Sequence, residues 1–206
     1  MIALVDYGAG NLTSVRKALS ALGAEFMTPS RPSELEQARA VIVPGVGHFA
    51  ATRALDDEWR EAIHRRARAG APLFGICVGM QWLFEGSDEA PEVPGLGVMK
   101  GRIARLEGNA ELRLKVPHVG WNALEFTRSA RLLRGLGNGA QVYFTHSYAA
   151  PVTPDCIAAT THANTFAAAV ERDNIFGVQF HPEKSGEAGL QILRNFLDIA
   201  HACGPR

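Results

Sequence analysis

A chain of 206 residues with 21 basic and 21 acidic side chains has no net charge at neutral pH, which excludes the overall basic field of a nucleic-acid binder and the acidic run of a solvating tail. Its length suits a single domain, residues 1–206, with a substantial core. Three cysteines without CxxC spacing argue against a disulfide framework and for a reducing, cytoplasmic compartment. Seven scattered histidines match neither C2H2 nor HExxH, so no metal is expected.

The chain opens on an apolar strand, residues 2–6, without the basic flank and long apolar core of a signal peptide, and no run approaches the length of a membrane span. A glycine-rich turn follows, Gly8, Ala9, Gly10, Asn11. It resembles the start of a dinucleotide fingerprint, but Thr13 stands where the third glycine belongs and no acidic residue follows at the required distance, so no nucleotide cofactor is expected. A helix is predicted over 14–22, stopped by Gly23, and a strand over 40–43. Next comes one long helix over 49–69, stopped by Gly70, with acidic residues early and Arg65, Arg66 and Arg68 late, an order that complements the helix dipole. The turn Pro44, Gly45, Val46, Gly47 could simply connect strand to helix. Beside a nucleophile its N–H groups, with that of Val78, would be oxyanion donors.

That nucleophile is Cys77. A strand over 73–76 meets it and a helix over 78–84 follows, with Gly75 and Gly79 two residues to either side. A side chain presented at a tight strand-to-helix turn needs small neighbours at those positions, because a Cβ there would strike adjacent backbone. The helix start and a nearby imidazolium both favour a thiolate. A lone cysteine on an apolar strand is more often core, and Cys156, without flanking glycines, reads that way; Cys203 lies in the terminal tail.

Strand–helix alternation in the first half predicts right-handed crossovers and a parallel sheet with ligands at its carboxyl edge, where Cys77 falls. From Gly95 onward shorter strands are predicted over 97–106, 111–116 and 141–148, giving a mixed sheet. Strands over 166–172 and 175–180 flank Asp173 and Asn174, which tolerate positive φ, so a hairpin delivers His181. Pro182 biases His181 toward an extended conformation, and Glu183, two residues on, can fix the ring so that its other nitrogen takes the thiol proton. A closing helix over 187–201 carries Leu190, Leu193, Phe196, Leu197 and Ala200 at helical spacing.

The segments Gly75, Ile76, Cys77, Val78, Gly79, Met80, Gln81 and Phe180, His181, Pro182, Glu183 resemble the signature of the class I glutamine amidotransferases, and the resemblance runs nearly the whole length. It implies an α/β three-layer sandwich around a mostly parallel sheet with an antiparallel second half. It also implies glutamine hydrolysis to glutamate and ammonia through a thioester on Cys77, with His181 and Glu183 completing the triad. By the same resemblance Val46, Gly47 and Val78 form the oxyanion hole, and Gln81, Glu89, His146, Ser147 and Tyr148 hold glutamine. No cofactor is implied.

Further blocks narrow the resemblance: Asp6 to Asn11, Pro44 to Gly47, Pro117 to Asn122, Tyr143 to Tyr148, and the extension to Lys184 and Ser185. They are similar to the branch that works as a heterodimer and passes ammonia to a (β/α)8-barrel cyclase partner, which implies that Asn11, Trp121, Tyr143 and Lys184 lie near that interface. In that branch the resting subunit has little activity, and the expected reason is a Gly45–Val46 peptide that points away until the partner carries its ligand. The chain departs modestly, with Val78 where Leu is common and His48 after the glycine turn. The alternatives are a glutaminase for another acceptor synthase, a cysteine hydrolase of γ-glutamyl compounds, and a catalytically dead interaction subunit, which the intact triad disfavours.

Overall fold

The computed structural model describes residues 1–9, 12–111 and 114–203. In chain order the elements are β1 (Ile2–Leu4), α1 (Leu12–Ala21), β2 (Phe26–Met27), β3 (Ala40–Gly45), α2 (Asp57–Arg68), β4 (Leu73–Cys77), α3 (Val78–Trp82) and β5 (Ala104–Arg105). The second half holds β6 (His118–Ala123), β7 (Glu125–Phe126), β8 (Gln141–His146), β9 (Tyr148–Ala149), β10 (Cys156–His162), β11 (Asn164–Arg172), β12 (Ile175–Val178) and α4 (Gly186–Ala202). Eight strands form one sheet in the order β2-β1-β3-β4-β12-β11-β10-β7. It is parallel from β2 to β12 and antiparallel from there to β7, as expected of the mixed α/β fold. Two small ladders, β5 with β9 and β6 with β8, lie outside it.

Alternation along the parallel strands divides the core in two, because successive side chains leave a strand on opposite faces. Ile2, Leu4, Ile42, Phe74 and Ile76 join Val15 and Leu19 of α1 and Ile192, Leu193 and Phe196 of α4 in one cluster. Ala3, Val5, Val41, Val43 and Leu73 face the other way and pack with Ala62 and Ile63 of α2. The result is the three-layer sandwich. No helix among the described residues is long and apolar enough to cross a membrane.

Three predicted elements differ. The helix over 49–69 is two pieces, a 3-10 segment Phe49–Ala54 and then α2, because Leu55 leaves helical geometry (ψ 72°) and Asp56 caps the new start through the N–H groups of Glu58 and Trp59, both 3.1 Å. The strand over 97–106 shrinks to β5: Leu96, Met99 and Ile103 are buried by an irregular loop, and their spacing has no two-residue period. The strand over 111–116 is absent among the described residues; Asn109 and Leu114 pair only as an isolated bridge. Conversely, β6 and β10 are present where no strand was predicted. The hairpin holds, with Asp173 at φ 52° between β11 and β12, and Cys156 is core as expected.

The parallel strands end together. Gly45 pairs with Cys77 at the last step of the β3–β4 ladder, and Ile76 pairs with Val178 at the end of β12. Loops leaving β3, β4 and β12 therefore share one edge of the sheet.

Asp56→Ala should lower stability by about 1 kcal/mol, the usual worth of such a cap, and the melting temperature by about 2–4 °C for a chain of this size. Denaturant and thermal unfolding measure it; an unchanged midpoint would mean that packing alone sets the start of α2.

Candidate active site

Cys77 ends β4 at φ 53° and ψ −112°, a left-handed conformation that an L residue holds only when its surroundings force it. The forcing contacts are backbone against backbone. A Cβ on Gly79 would lie 1.8 Å from the Val43 carbonyl oxygen, and one on Gly75 would lie 2.6 Å from that of Gly79. The first turn of α3 is thus pressed onto β3 and β4, and the cysteine side chain is turned out at the strand end. Val78 begins α3, so its N–H is among those without an intrahelical partner.

After β12 the chain runs on through Gln179 and Phe180 to His181. The His181 N–H donates to the Tyr143 carbonyl of β8 (2.9 Å), while the Ser185 hydroxyl donates to the His181 carbonyl (2.6 Å) and accepts from the Tyr143 N–H (2.9 Å). The ring is thereby anchored to β8 at both backbone groups. His181 Nδ1 meets Glu183 Oε1 at 2.9 Å, both side chains almost fully buried. A carboxylate on Nδ1 fixes that nitrogen as the proton carrier, and the buried Nε2, without a hydrogen-bond partner, is left for chemistry. Burial alone would lower the pKa of the imidazole, but Cys77 and then Glu183 outweigh it and raise it above the ordinary histidine range.

Cys77 and His181 line one cavity of about 360 Å³ together with Val46, Gly47, Val78, Gln81, Glu89, His146, Ser147, Tyr148 and Lys184. Every residue expected at the oxyanion hole or the glutamine pocket is therefore on its wall, and Glu183 lies behind His181. The Glu89 carboxylate accepts from the Phe49 N–H at 2.7 Å. The Val46 N–H is already engaged, donating to the Ala9 carbonyl at 3.3 Å.

The pocket's polar wall has one determined polarity, set by the Tyr148 carbonyl, which can only accept. His146 Nδ1 lies 2.9 Å from it and so carries the proton; its bare Nε2 then accepts from His118 Nδ1 at 3.2 Å, and His118 Nε2 accepts from Asn122 Nδ2 at 3.4 Å. Burial, with minor help from His162, lowers the pKa of His118 to about 4, and burial likewise lowers that of His146 to about 3, so both rings are neutral at physiological pH. From the other side Gln81 Nε2 donates to the same carbonyl (2.8 Å) and to Gln179 Oε1 (3.1 Å). Gln179 Nε2 in turn lies 3.7 Å from the Cys77 sulfur.

On the rim of this region Trp121 is 56% exposed and meets Tyr143 edge-on at 6.0 Å, and Lys184 Nζ stands 6.0 Å from the Tyr143 ring. Three of the four expected interface residues are therefore together; Asn11 lies outside the described residues. Val119, 57% exposed, extends the same outward face of β6. Sequence reasoning missed Gln179, His118 and Tyr7. The Tyr7 hydroxyl is buried without a partner, 2.2 Å from where a Cβ on Gly45 would stand, and burial followed by the charge of Cys77 pushes its pKa up. A family match for glutamine amidotransferase class-I covers residues 3–200. The protein named imidazole glycerol phosphate synthase subunit HisH of Gloeobacter violaceus is 48% identical over 97% of this chain and 89% of its own. Its namesake of Methanothermobacter thermautotrophicus is 44% identical over 98% of this chain and 100% of its own. Among solved structures, a crystal structure of glutamine amidotransferase superposes with a TM-score of 0.75 at 22% identity, covering 98% of this chain and 100% of that one. The structure of PurLQS from Thermotoga maritima gives 0.73 at 19%, covering 96% and 97%. At those identities the two structures speak to the fold alone.

Because the folded-state pKa of His181 stands above its ordinary value of 6.5, the pairing stabilises fully below that pH and is lost as the pH rises through the raised value. Cys77→Ala leaves burial, which lowers the value, opposed by Glu183 alone, so the His181 ring should titrate at lower pH than in wild type. NMR of labelled histidine reads this directly, and an unmoved midpoint would show that the sulfur does not act on the ring.

Proposed function

We infer that this chain, which belongs to the class I glutamine amidotransferase family, is the glutaminase subunit of an imidazole glycerol phosphate synthase of histidine biosynthesis. The observation that carries the reading is the meeting of Cys77, on its strained turn, with the Glu183-held imidazole of His181 in one cavity. Near-full-length identity of 44–48% to subunits of that synthase supports the choice of branch.

In the proposed reaction the Cys77 sulfur attacks the carboxamide carbon of glutamine held between Gln81, Glu89 and the wall His146, Ser147, Tyr148. Both internal bonds of Gln81 use its amide nitrogen, so its oxygen is the group left to meet the substrate. His181 Nε2 takes the thiol proton and hands it to the departing amine, releasing ammonia and leaving a glutamyl thioester. Water then attacks the thioester, His181 takes its proton, the C–S bond breaks, and glutamate leaves. The developing oxyanion is met by the Val78 N–H and, after the Gly45–Val46 peptide turns, by that of Val46, with Gly47 completing the loop; such a donor is worth about 3–4 kcal/mol in the transition state. The existing Val46 to Ala9 bond is the contact that this turn would break, which agrees with a subunit held at low activity until its partner is loaded.

The partner in this reading is a (β/α)8-barrel cyclase, docked on the face that carries Trp121, Tyr143 and Lys184. Ammonia in neutral water is mostly the non-nucleophilic ammonium ion, so a sealed passage preserves the reacting species. The cyclase combines it with a ribulosyl ribonucleotide to give imidazole glycerol phosphate and an aminoimidazole carboxamide ribotide.

Ammonia release from glutamine should be slow in the isolated chain and rise sharply when the cyclase and its nucleotide are added. Full activity of the chain alone would favour a free hydrolase instead. In the complete system Cys77→Ala and His181→Ala should each lose roughly 10⁴-fold or more, and Glu183→Ala about one to two orders less, since it orients the base. A Cys77→Ala enzyme that keeps its rate would overturn the mechanism.

A further inference from the structure

We propose that Gln179 is a further catalytic residue of this site, holding the Cys77 sulfur through its side-chain N–H. The residue is fully buried, two positions before His181, and its Nε2 lies 3.7 Å from Sγ, a hydrogen-bond length for a sulfur acceptor. Amide nitrogen and oxygen are easily exchanged in a structure, but here the surroundings decide between them. The atom of Gln81 that is 2.8 Å from the Tyr148 carbonyl must be nitrogen, because two oxygens would repel there. That nitrogen is 3.1 Å from Gln179, so the facing atom of Gln179 is oxygen and the one turned to the sulfur is the donor. Reversing Gln179 alone would set two NH₂ groups against each other and point a carbonyl at the thiolate.

A neutral donor suits this position chemically. While His181 passes its proton to the departing amine the sulfur is bonded to the acyl carbon and carries no charge; it is anionic only before attack and again when the C–S bond breaks. The amide N–H of Gln179 neither gives up its proton nor competes for the sulfur's, so it favours the thiolate in both states where one exists. The first is the resting nucleophile. The second is the leaving group of thioester hydrolysis, when the C–S electron pair returns to sulfur, water supplies the hydroxyl to the acyl carbon, and its proton goes to His181.

This inference rests on Cys77 being the nucleophile of the proposed glutaminase, and its test reads thiol chemistry without glutamine. Cys77 alkylation by iodoacetamide is followed across pH in the full-length chain by peptide mass spectrometry, which separates it from Cys156 and Cys203. The other ionisable groups about the sulfur are Tyr7 from the loop after β1, Glu89 from the loop after α3, His146 and Tyr148 from β8 and β9, and His181 with Glu183 and Lys184 after β12. All stay in place in the variants. Gln179→Glu keeps an acceptor for Gln81 but sets a carboxylate in place of the donor; Gln179→Met keeps the length and removes the donor. The midpoint of the alkylation profile should move to higher pH in both, further in the Glu variant. In the complex kcat for glutamine should fall with KM little changed. Folded variants whose alkylation profile superposes on wild type would overturn the proposal while leaving the glutaminase reading intact. Should neither variant fold, the labelled side-chain amide protons of Gln179 in the wild-type chain must shift with pH in step with Cys77 ionisation; signals that stay fixed overturn it equally. A wild-type Cys77 with no ionisation-dependent alkylation would remove the glutaminase reading and this inference together.

Discussion

Everything at this site follows from the close approach of Gly79 to the carbonyl of Val43. With no room for even one methyl group between them, the first turn of α3 lies directly on β3, and the chain can reverse there only by holding Cys77 in a left-handed conformation. The strain of order 1–3 kcal/mol typical of such a residue is offset by the buried sheet beneath it, whose central strands leave almost no side chain exposed. Cys77, the proposed nucleophile, is therefore placed by backbone-to-backbone contacts, and His181, its proposed acid–base partner, follows the strand β12 that is laddered on β4.

A second constraint governs the polar groups. The Tyr148 carbonyl accepts from His146 on one side and from Gln81 on the other, and because it cannot donate it dictates the direction of every bond that leads away from it. One branch runs through His118 to Asn122, which lies beside Trp121 in β6 and also donates to the Thr161 carbonyl; the other runs through Gln81 and Gln179 to the Cys77 sulfur. The two neutral histidines matter here for their shape and tautomer rather than for charge. Consecutive hydrogen bonds thus run from Asn122, the chain neighbour of Trp121, to the Cys77 sulfur, and β8 supports both the backbone of His181 and the wall of the pocket.

Much of the fold was legible because its logic is local. Glycines at 75 and 79, the Asp173–Asn174 turn and the strand–helix alternation each state a steric requirement that residue types alone reveal. The lost pieces share a different cause. Residues 49–69 carry apolar side chains at helical spacing throughout, so nothing in the periodicity marks the break, which a single capping carboxylate at Asp56 makes. β10 is buried on both faces over most of its length and shows no alternation to read. On β6 Val119 and Trp121 are exposed, so its apolar pattern points outward instead of into a core. At the site the triad could be named from spacing and resemblance, whereas Gln179 and His118 are single polar residues whose roles depend on partners about a hundred and 28 positions away.

Cys77 and the Glu183-held ring of His181 thus line one cavity, while the Val46 N–H, the second oxyanion donor of the proposed mechanism, is bound to the Ala9 carbonyl. In the proposed mechanism regulation would therefore act through that donor, on the stabilisation of the transition state. The most direct test is covalent labelling with a glutamine analogue that carries an electrophilic warhead, followed by peptide mapping. One adduct is expected, on Cys77, formed faster in the ligand-loaded complex and absent in the His181→Ala enzyme. Labelling of Cys156 or Cys203 with Cys77 left unmodified would contradict it.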